Sequence, residues 1–285
     1  MDRTIDIQIL RSRVQRVVLR VLLYVVVAIG GVAFAIPFVW MVRTSVMPMW
    51  QIYIFPPQWI PAEIVLDNFR IAELPWPRFF LNSTIITLLN VSGAVVTASI
   101  VAFAFARIRF PGRDVLFLIV LSTMMLPGQV TLIPTYVIFS RLGWLDTYLP
   151  LCMRSWIANP FHVFLLRQFF MTLHRELDDA ARIDGCSFFG LYWRIALPLS
   201  LPALGVVCIF EFTYMWNNFF LPLIYLNTMD KFPIALGLRL LQGYYRTNLG
   251  PMMAGALMAI SPILVIFFFA QRYFVQGIVI TGVEK

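Results

Sequence analysis

Glu176-Leu-Asp-Asp-Ala-Ala-Arg-Ile-Asp-Gly185, continuing through Cys186 to Ile195-Ala-Leu-Pro198, is a polar connection between two hydrophobic runs, and it carries helix-forming chemistry of its own. Leu173, Leu177 and Ala180 fall at i, i+4 and i+7 and make one narrow apolar stripe, while Glu176, Asp179 and Arg182 face elsewhere. The spacing predicts a short amphipathic helix. Gly185 stands where a left-handed residue closes a helix, and a second apolar turn, Phe188 to Ile195, runs on to Pro198. Two short helices joined by a glycine elbow are therefore expected.

Outward from this elbow the chain is apolar on both sides. Sixty per cent of the 285 residues are apolar, 13% are charged and the mean hydropathy is +0.82. A soluble domain carries about 25% charged residues, so this composition predicts an integral membrane protein. Six runs approach the roughly 20 apolar residues that a helix needs to cross a bilayer. They lie at about 18–42, 82–106, 114–138, 148–168, 199–225 and 251–273. The alternating pattern of a barrel strand is missing from them, which predicts an all-α, polytopic fold: a single transmembrane domain over 1–285 with six transmembrane helices.

Orientation follows from the arginines. Arg3, Arg11, Arg13, Arg16 and Arg20 precede the first run and hold the N-terminus on the cytoplasmic side. Ala33-Phe34-Ala35 resembles a cleavage site, but the apolar run continues to Val42, which predicts a signal anchor serving as the first span. Six spans then place both termini and the loops 107–113 and 169–198 inside. The first outer segment, about 43 to 78, is rich in Trp and Pro and is expected to fold against the interface without forming a separate domain. The other outer segment, Leu226 to Leu249, reads as a polar connection.

The pattern Asp179-Ala180-Ala181, Asp184-Gly185, Ile195 and Leu197-Pro198 resembles the EAA loop in the membrane-spanning subunits of binding-protein-dependent ABC importers. The likeness runs along most of the chain and points to carbohydrate-uptake permeases of the maltose and glycerol-3-phosphate type. Two positions depart from the pattern: its leading glutamate is Asp179, and a proline usual before the loop helix is His174. The resemblance implies a cytoplasmic coupling helix in which Glu176, Asp179, Ala180, Ala181, Asp184 and Gly185 meet an ATPase subunit. It also implies a second permease subunit, two ATPase subunits that bind ATP and Mg, and an extracytoplasmic solute-binding protein. The turn Arg107-Ile-Arg109-Phe-Pro111-Gly112-Arg113 recurs in the family between the same two spans, and Trp216-Asn217-Asn218 resembles its Trp-Asn element, with Asn218 where an aspartate is frequent. The tail from Gln271 to Lys285 matches the family's short end near the ATPases, and the resemblance implies that Leu226 to Leu249 can touch the binding protein.

Inside the spans, Glu211 is a carboxylate deep in a hydrophobic segment, where ionisation costs on the order of 3 kcal/mol. It reads equally as a cavity-lining group or as an interhelical hydrogen bond; with Trp216, Asn217 and Asn218 it forms the candidate translocation path. His162 has no carboxylate at helical spacing and reads as a packing residue. Pro127 and Pro134 predict a bend in the third span, and Pro160, Pro202, Pro222 and Pro262 extend the theme.

Several functions are excluded by what the sequence lacks. There is no Gly-Lys-Ser/Thr phosphate loop, so ATP is not bound here in the usual way and no cofactor belongs to this chain. Cys152, Cys186 and Cys208 have no metal-ligand spacing and read as packing residues; no catalytic set is expected. The net charge of +8 is scattered at span ends, as orientation in membrane lipid requires, and forms no stripe, which argues against nucleic acid. The reading is a multi-pass inner-membrane permease subunit of an ATP-driven sugar importer. The alternative is a six-span secondary carrier or channel.

Overall fold

The computed structural model describes residues 2–71, 74–245 and 248–279, with side chains described from 15 to 269 within those limits. Every regular element among them is helical. The chain divides into two compact units, one of residues 1–70 and 245–257, the other of 71–244 and 258–285.

In the first unit, α1 (Asp2–Ser45) carries the long apolar run, and its side chains from Val17 to Val42 are almost all exposed. The chain then folds tightly. Gln51, buried in the helical turn Met49–Ile52, donates to Gln58 Oε1 at 2.7 Å and the Ile60 carbonyl at 2.9 Å, and accepts from the Ala62 amide at 2.8 Å. Asn68 donates to the carbonyls of Ser45 and Met47 at 3.0 Å each. One amide thus satisfies three loop groups and another closes the loop on the end of α1, so this segment is held by side-chain hydrogen bonds where no ladder exists. Trp40 and Trp59 meet edge to face.

The second unit is built around α2 (Trp76–Arg107). Ala94, Ala98 and Ala102 repeat every fourth residue on its buried face and admit neighbouring helices closely. Against them lie Val163, Leu166 and Phe170 of a later helix, Ala203, Leu204 and Val207 of another, and Leu191, Tyr192 and Ala196 of the elbow segment. The third expected span is broken: α3 (Arg113–Ser122), continued by a 3-10 turn to Met125, meets α4 (Gly128–Arg141) at 95° across Leu126-Pro127. Proline at 127 denies the next turn its amide, and the residue before it is extended, so the bend sits where the sequence put it.

The fourth expected span, 148–168, is not one helix. Leu149–Met153 and the 3-10 turn Arg154–Ile157 end at Ala158, which is left-handed at φ 56°, and α5 (Pro160–Thr172) begins afresh. Asn159 caps α5 by accepting from the Phe161 amide at 3.0 Å. An Asn-Pro pair both starts a helix and forbids the residue before it from continuing one. Thirteen residues cover about 20 Å, short of the roughly 30 Å hydrocarbon core.

After α5 come α6 (Glu176–Ile183), the elbow, and α7 (Leu201–Trp216), which leaves the elbow segment Phe188–Leu199 at 76°. The outer connection contains α8 (Ile234–Tyr244), whose Ile234, Leu236, Gly237 and Leu241 are buried, so Leu226–Leu249 is not simply polar. Asn82 of α2 donates to the Asp230 and Phe232 carbonyls, and the Ile234 amide donates to Ser83, which ties α8 to the start of α2. Last comes α9 (Leu249–Val279). Among the described residues, α1, α2 and α9 are long and apolar enough to cross a membrane, and up to five spans result if each bent pair counts as one. The expected six spans are therefore not all present as membrane-length helices. The tail beyond Val279 lies outside the described residues, as do the side chains of Arg3, Arg11, Arg13 and Arg272.

Candidate functional site

The elbow begins with α6, whose first turn holds Glu176, Asp178 and Asp179, negative charge where the helix dipole is positive. Its end is a Schellman cap: the Gly185 amide donates to the Arg182 carbonyl at 3.0 Å and the Cys186 amide to the Ala181 carbonyl at 2.9 Å. Gly185 has φ +77°, so a Cβ there would be strained. Asp184 is the residue between helix and cap, its amide bonded to the Ala180 carbonyl at 3.1 Å. Ser187 then caps the next turn by accepting from the Gly190 amide at 3.2 Å, and Phe188–Leu191 passes through a π-turn, Tyr192–Ala196, toward α7.

The alanine pair divides its faces. Ala181 is buried in the core, whereas Ala180 is exposed with Glu176, Leu177, Asp179 and Asp184. Leu173 is not on this helix; it ends α5, half-buried against the core, so the expected stripe loses its first member. The apolar surface instead continues forward, with Ile183 87% and Phe189 73% exposed, and Phe189 stacked on Trp193.

Two contacts anchor the elbow on the helices behind it. Arg107, at the end of α2 and 5% exposed, donates to Asp178 Oδ2 at 3.0 Å and to the Leu173 carbonyl at 2.7 Å. Tyr192 shares a hydrogen bond of 2.8 Å with Ser99 and lies edge-on to Phe103. The elbow thus has one face locked to α2 and one face open. Asp178 and Tyr192 were missed in the sequence because their partners stand 71 and 93 residues away. The basic turn at Arg107 was the visible half of the signal.

Glu211, on α7, lies in a buried polar knot. Ser155 Oγ is 2.6 Å from Glu211 Oε1 and 2.5 Å from Asn90 Oδ1, while Asn90 Nδ2 donates to the Ile86 carbonyl at 2.8 Å. Opposite, His162 Nδ1 stands 3.8 Å from Glu211 Oε2. His162 therefore does face a carboxylate, but one supplied by another helix, which helical spacing could not show. The knot joins α2, α5, α7 and the Arg154–Ile157 turn. Close approach of that turn is allowed by Gly93, where a Cβ would lie 2.7 Å from the Trp156 ring.

The other candidates on the translocation path separate. Trp216 is buried, donates to the Ala259 carbonyl at 2.9 Å and stacks on Phe212. Asn217 is exposed, ends α7 and bonds back to the Thr213 carbonyl at 2.8 Å. Asn218 accepts from the Leu221 amide at 3.1 Å and starts the short helix Phe220–Tyr225. These three do not converge with Glu211 on one site. Asn217 and Asn218 stop and restart a helix, and Trp216 packs it. Cys152, Cys186 and Cys208 are free thiols.

The arabinooligosaccharides transport system permease protein AraQ of Halalkalibacterium halodurans is 37% identical over 228 residues, 79% of this chain and 81% of that protein. The sn-glycerol-3-phosphate transport system permease protein UgpE of Brucella abortus is 30% identical over 278 residues, 94% of this chain and 98% of that one. In fold, the chain is similar to a bacterial ABC transporter involved in import of the acidic polysaccharide alginate, with TM-score 0.79 and 21% identity over 90% of this chain and 96% of the other. The family model described as binding-protein-dependent transport system inner membrane component matches residues 94–280, which include the elbow and, of the knot, Ser155, His162 and Glu211, and the chain belongs to that family.

Proposed function

We propose that this chain is the membrane-spanning permease subunit of an ATP-driven importer that takes a sugar or sugar-like solute from an extracytoplasmic binding protein. ATP and Mg are bound by two separate ATPase subunits, a second permease completes the pathway, and both termini of this chain are cytoplasmic. One observation carries the reading: the elbow is fixed to α2 through Arg107–Asp178 and Tyr192–Ser99 while Leu177, Ala180, Ile183 and Phe189 remain open. A short helix held rigidly on one side can pass a rigid-body movement from whatever grips its other side. Ala180 allows such a partner to approach closely, and Gly185 sets the direction of the second helix.

The test is ATPase activity of the purified assembly, with and without loaded binding protein. In Gly185→Val, stimulated hydrolysis and uptake should fall together by a factor of roughly 5 to 30, the range that left-handed strain of about 1–2 kcal/mol commands. Ala180→Trp should do the same by holding the surfaces apart. Normal stimulation in both variants would refute the coupling role.

A further inference from the structure

The elbow borders a second feature that the importer reading does not use. Between the turn joining α2 to α3 and the start of α6 lies a cleft of about 540 Å³ whose walls include Arg109, Arg113 and Arg175. A smaller space of about 70 Å³, again walled by Arg113 and Arg175, adds Arg107 and Arg167. Five guanidiniums therefore share this end of the bundle, and the carboxylates paired with them are Asp114 and Asp178.

Those two carboxylates do not satisfy the arginines. Asp114 is bonded by Arg113 at 3.0 Å and approached by Arg167 at 3.8 Å. Arg167 also lies over the Phe117 ring at 4.1 Å. Asp178 is taken by Arg107, whose own Nε is buried without a partner among the described residues. Arg109 and Arg175 are exposed and have no ion pair among the described residues. The first turn of α3, at Gly112 to Val115, forms the remaining wall; it adds the positive end of a helix and, at Asp114, a carboxylate already engaged by Arg113. Excess guanidinium charge in a concave site fits an anion with several oxygens, and phosphate matches the planar fork that each arginine offers.

The source of that phosphate is indicated by what rises from the cleft. Val115, Leu118 and Ile119 lie at i, i+3 and i+4 on α3 and are 63%, 64% and 55% exposed. A free phosphate would have no use for this apolar ridge, whereas acyl chains would lie along it. We propose that the cleft at the α2–α3 turn binds the phosphate of an anionic phospholipid, with Arg109, Arg113 and Arg175 on the headgroup and the outer face of α3 against the chains.

The full chain in its purified assembly is reconstituted in phosphatidylcholine vesicles carrying spin-labelled phosphatidylglycerol or spin-labelled phosphatidylcholine. The motionally restricted fraction is then read by electron paramagnetic resonance. The wild type should retain phosphatidylglycerol over phosphatidylcholine. Removing two basic contacts in Arg109→Gln/Arg175→Gln should weaken that retention about 30-fold. Arg109→Lys/Arg175→Lys, which keeps the charge, should preserve most of it, and Arg141→Gln, an exposed charge at the far end of α4, should leave it unchanged. Equal retention of the two lipids by wild type, or selectivity that survives Arg109→Gln/Arg175→Gln, would overturn the proposal. Release of the labelled lipid by millimolar inorganic phosphate would assign the site to a soluble anion and overturn the lipid.

Discussion

Two carboxylates in the second unit reach across to other helices, and they are held in opposite ways. Glu211 is 4% exposed and meets a hydroxyl, with an imidazole 3.8 Å away. Asp178 has a full countercharge in Arg107 at 3.0 Å, and water reaches its side chain to 16%. The difference follows from the environment. Deep between helices an unpaired polar group is costly, and Glu211 is met there by a short hydrogen bond from Ser155 on a different segment. At the helix ends an ion pair can form with part of its solvation kept. The knot is thus buried among helices, while the elbow is clamped on one face and leaves the other free to be gripped.

Substitutions can break this contrast, and their effects should descend with burial. Ser155→Ala removes the one donor facing both Asn90 Oδ1 and Glu211 Oε1. The hydroxyl carries one hydrogen, so one buried acceptor loses its partner, which should cost up to about 3 kcal/mol, read as a lowered thermal midpoint of the purified assembly. A loss under about 1 kcal/mol would show that the knot is not the tighter of the two joints.

Arg107→Ala should come next. Stranding a buried charge costs about 3–5 kcal/mol, and partial exposure of Asp178 lowers the expectation to about 2. The double variant with Asp178→Ala should recover part of the loss, because no charge is then left alone. An additive double-mutant cycle would remove this ion pair as an anchor of the elbow.

Glu211→Gln keeps an oxygen or amide for Ser155 and should cost only about 1 kcal/mol of stability. If Glu211 also lines a solvated path, uptake should fall further than assembly does. Unchanged uptake in a fully assembled variant would make the knot purely structural.

The smallest effect belongs to the half-buried clamp at Asp146, which accepts from Lys231 at 2.7 Å, the Thr228 hydroxyl and amide, and the Asn227 amide. Lys231 first, with Thr228 and Asn227 behind it, holds this carboxyl well below the usual carboxylate range. A depressed folded value means that the stabilisation is complete above the unfolded value of about 4 and is lost only as pH falls toward the folded one. Asp146→Asn should therefore cost no more than about 1 kcal/mol, Lys231 being 41% exposed, and the cost should stay constant from about pH 8 to 5. A difference from wild type that disappears by pH 5 would contradict this ranking.

Legibility in the sequence followed the range of the interaction. Gly185, the α6 helix and the break at Leu126-Pro127 depend on neighbours within about four residues, and each stands where spacing put it. At Asn159-Pro160 the proline marked a bend, but the apolar residues on both sides carried the expected span through what is a full stop and restart. In the outer connection, Asn and Tyr residues weighed against α8, although Ile234, Leu236, Gly237 and Leu241 carried its buried face.

The sequence by itself determined that this is a membrane-embedded helical chain with a glycine elbow and a permease-family pattern, because apolar length, backbone caps and short-range periodicity are written in consecutive residues. Tertiary structure decided that Ala181 turns inward while Ala180 faces out, that Asp178 answers Arg107, and that Ser155 and His162 meet Glu211. It also gathered five arginines from 107 to 175 at one end of the bundle. Such contacts depend on how helices cross, and crossing is set by the packing of small residues such as Ala94, Ala98 and Ala102, not by the order of residues along any one helix.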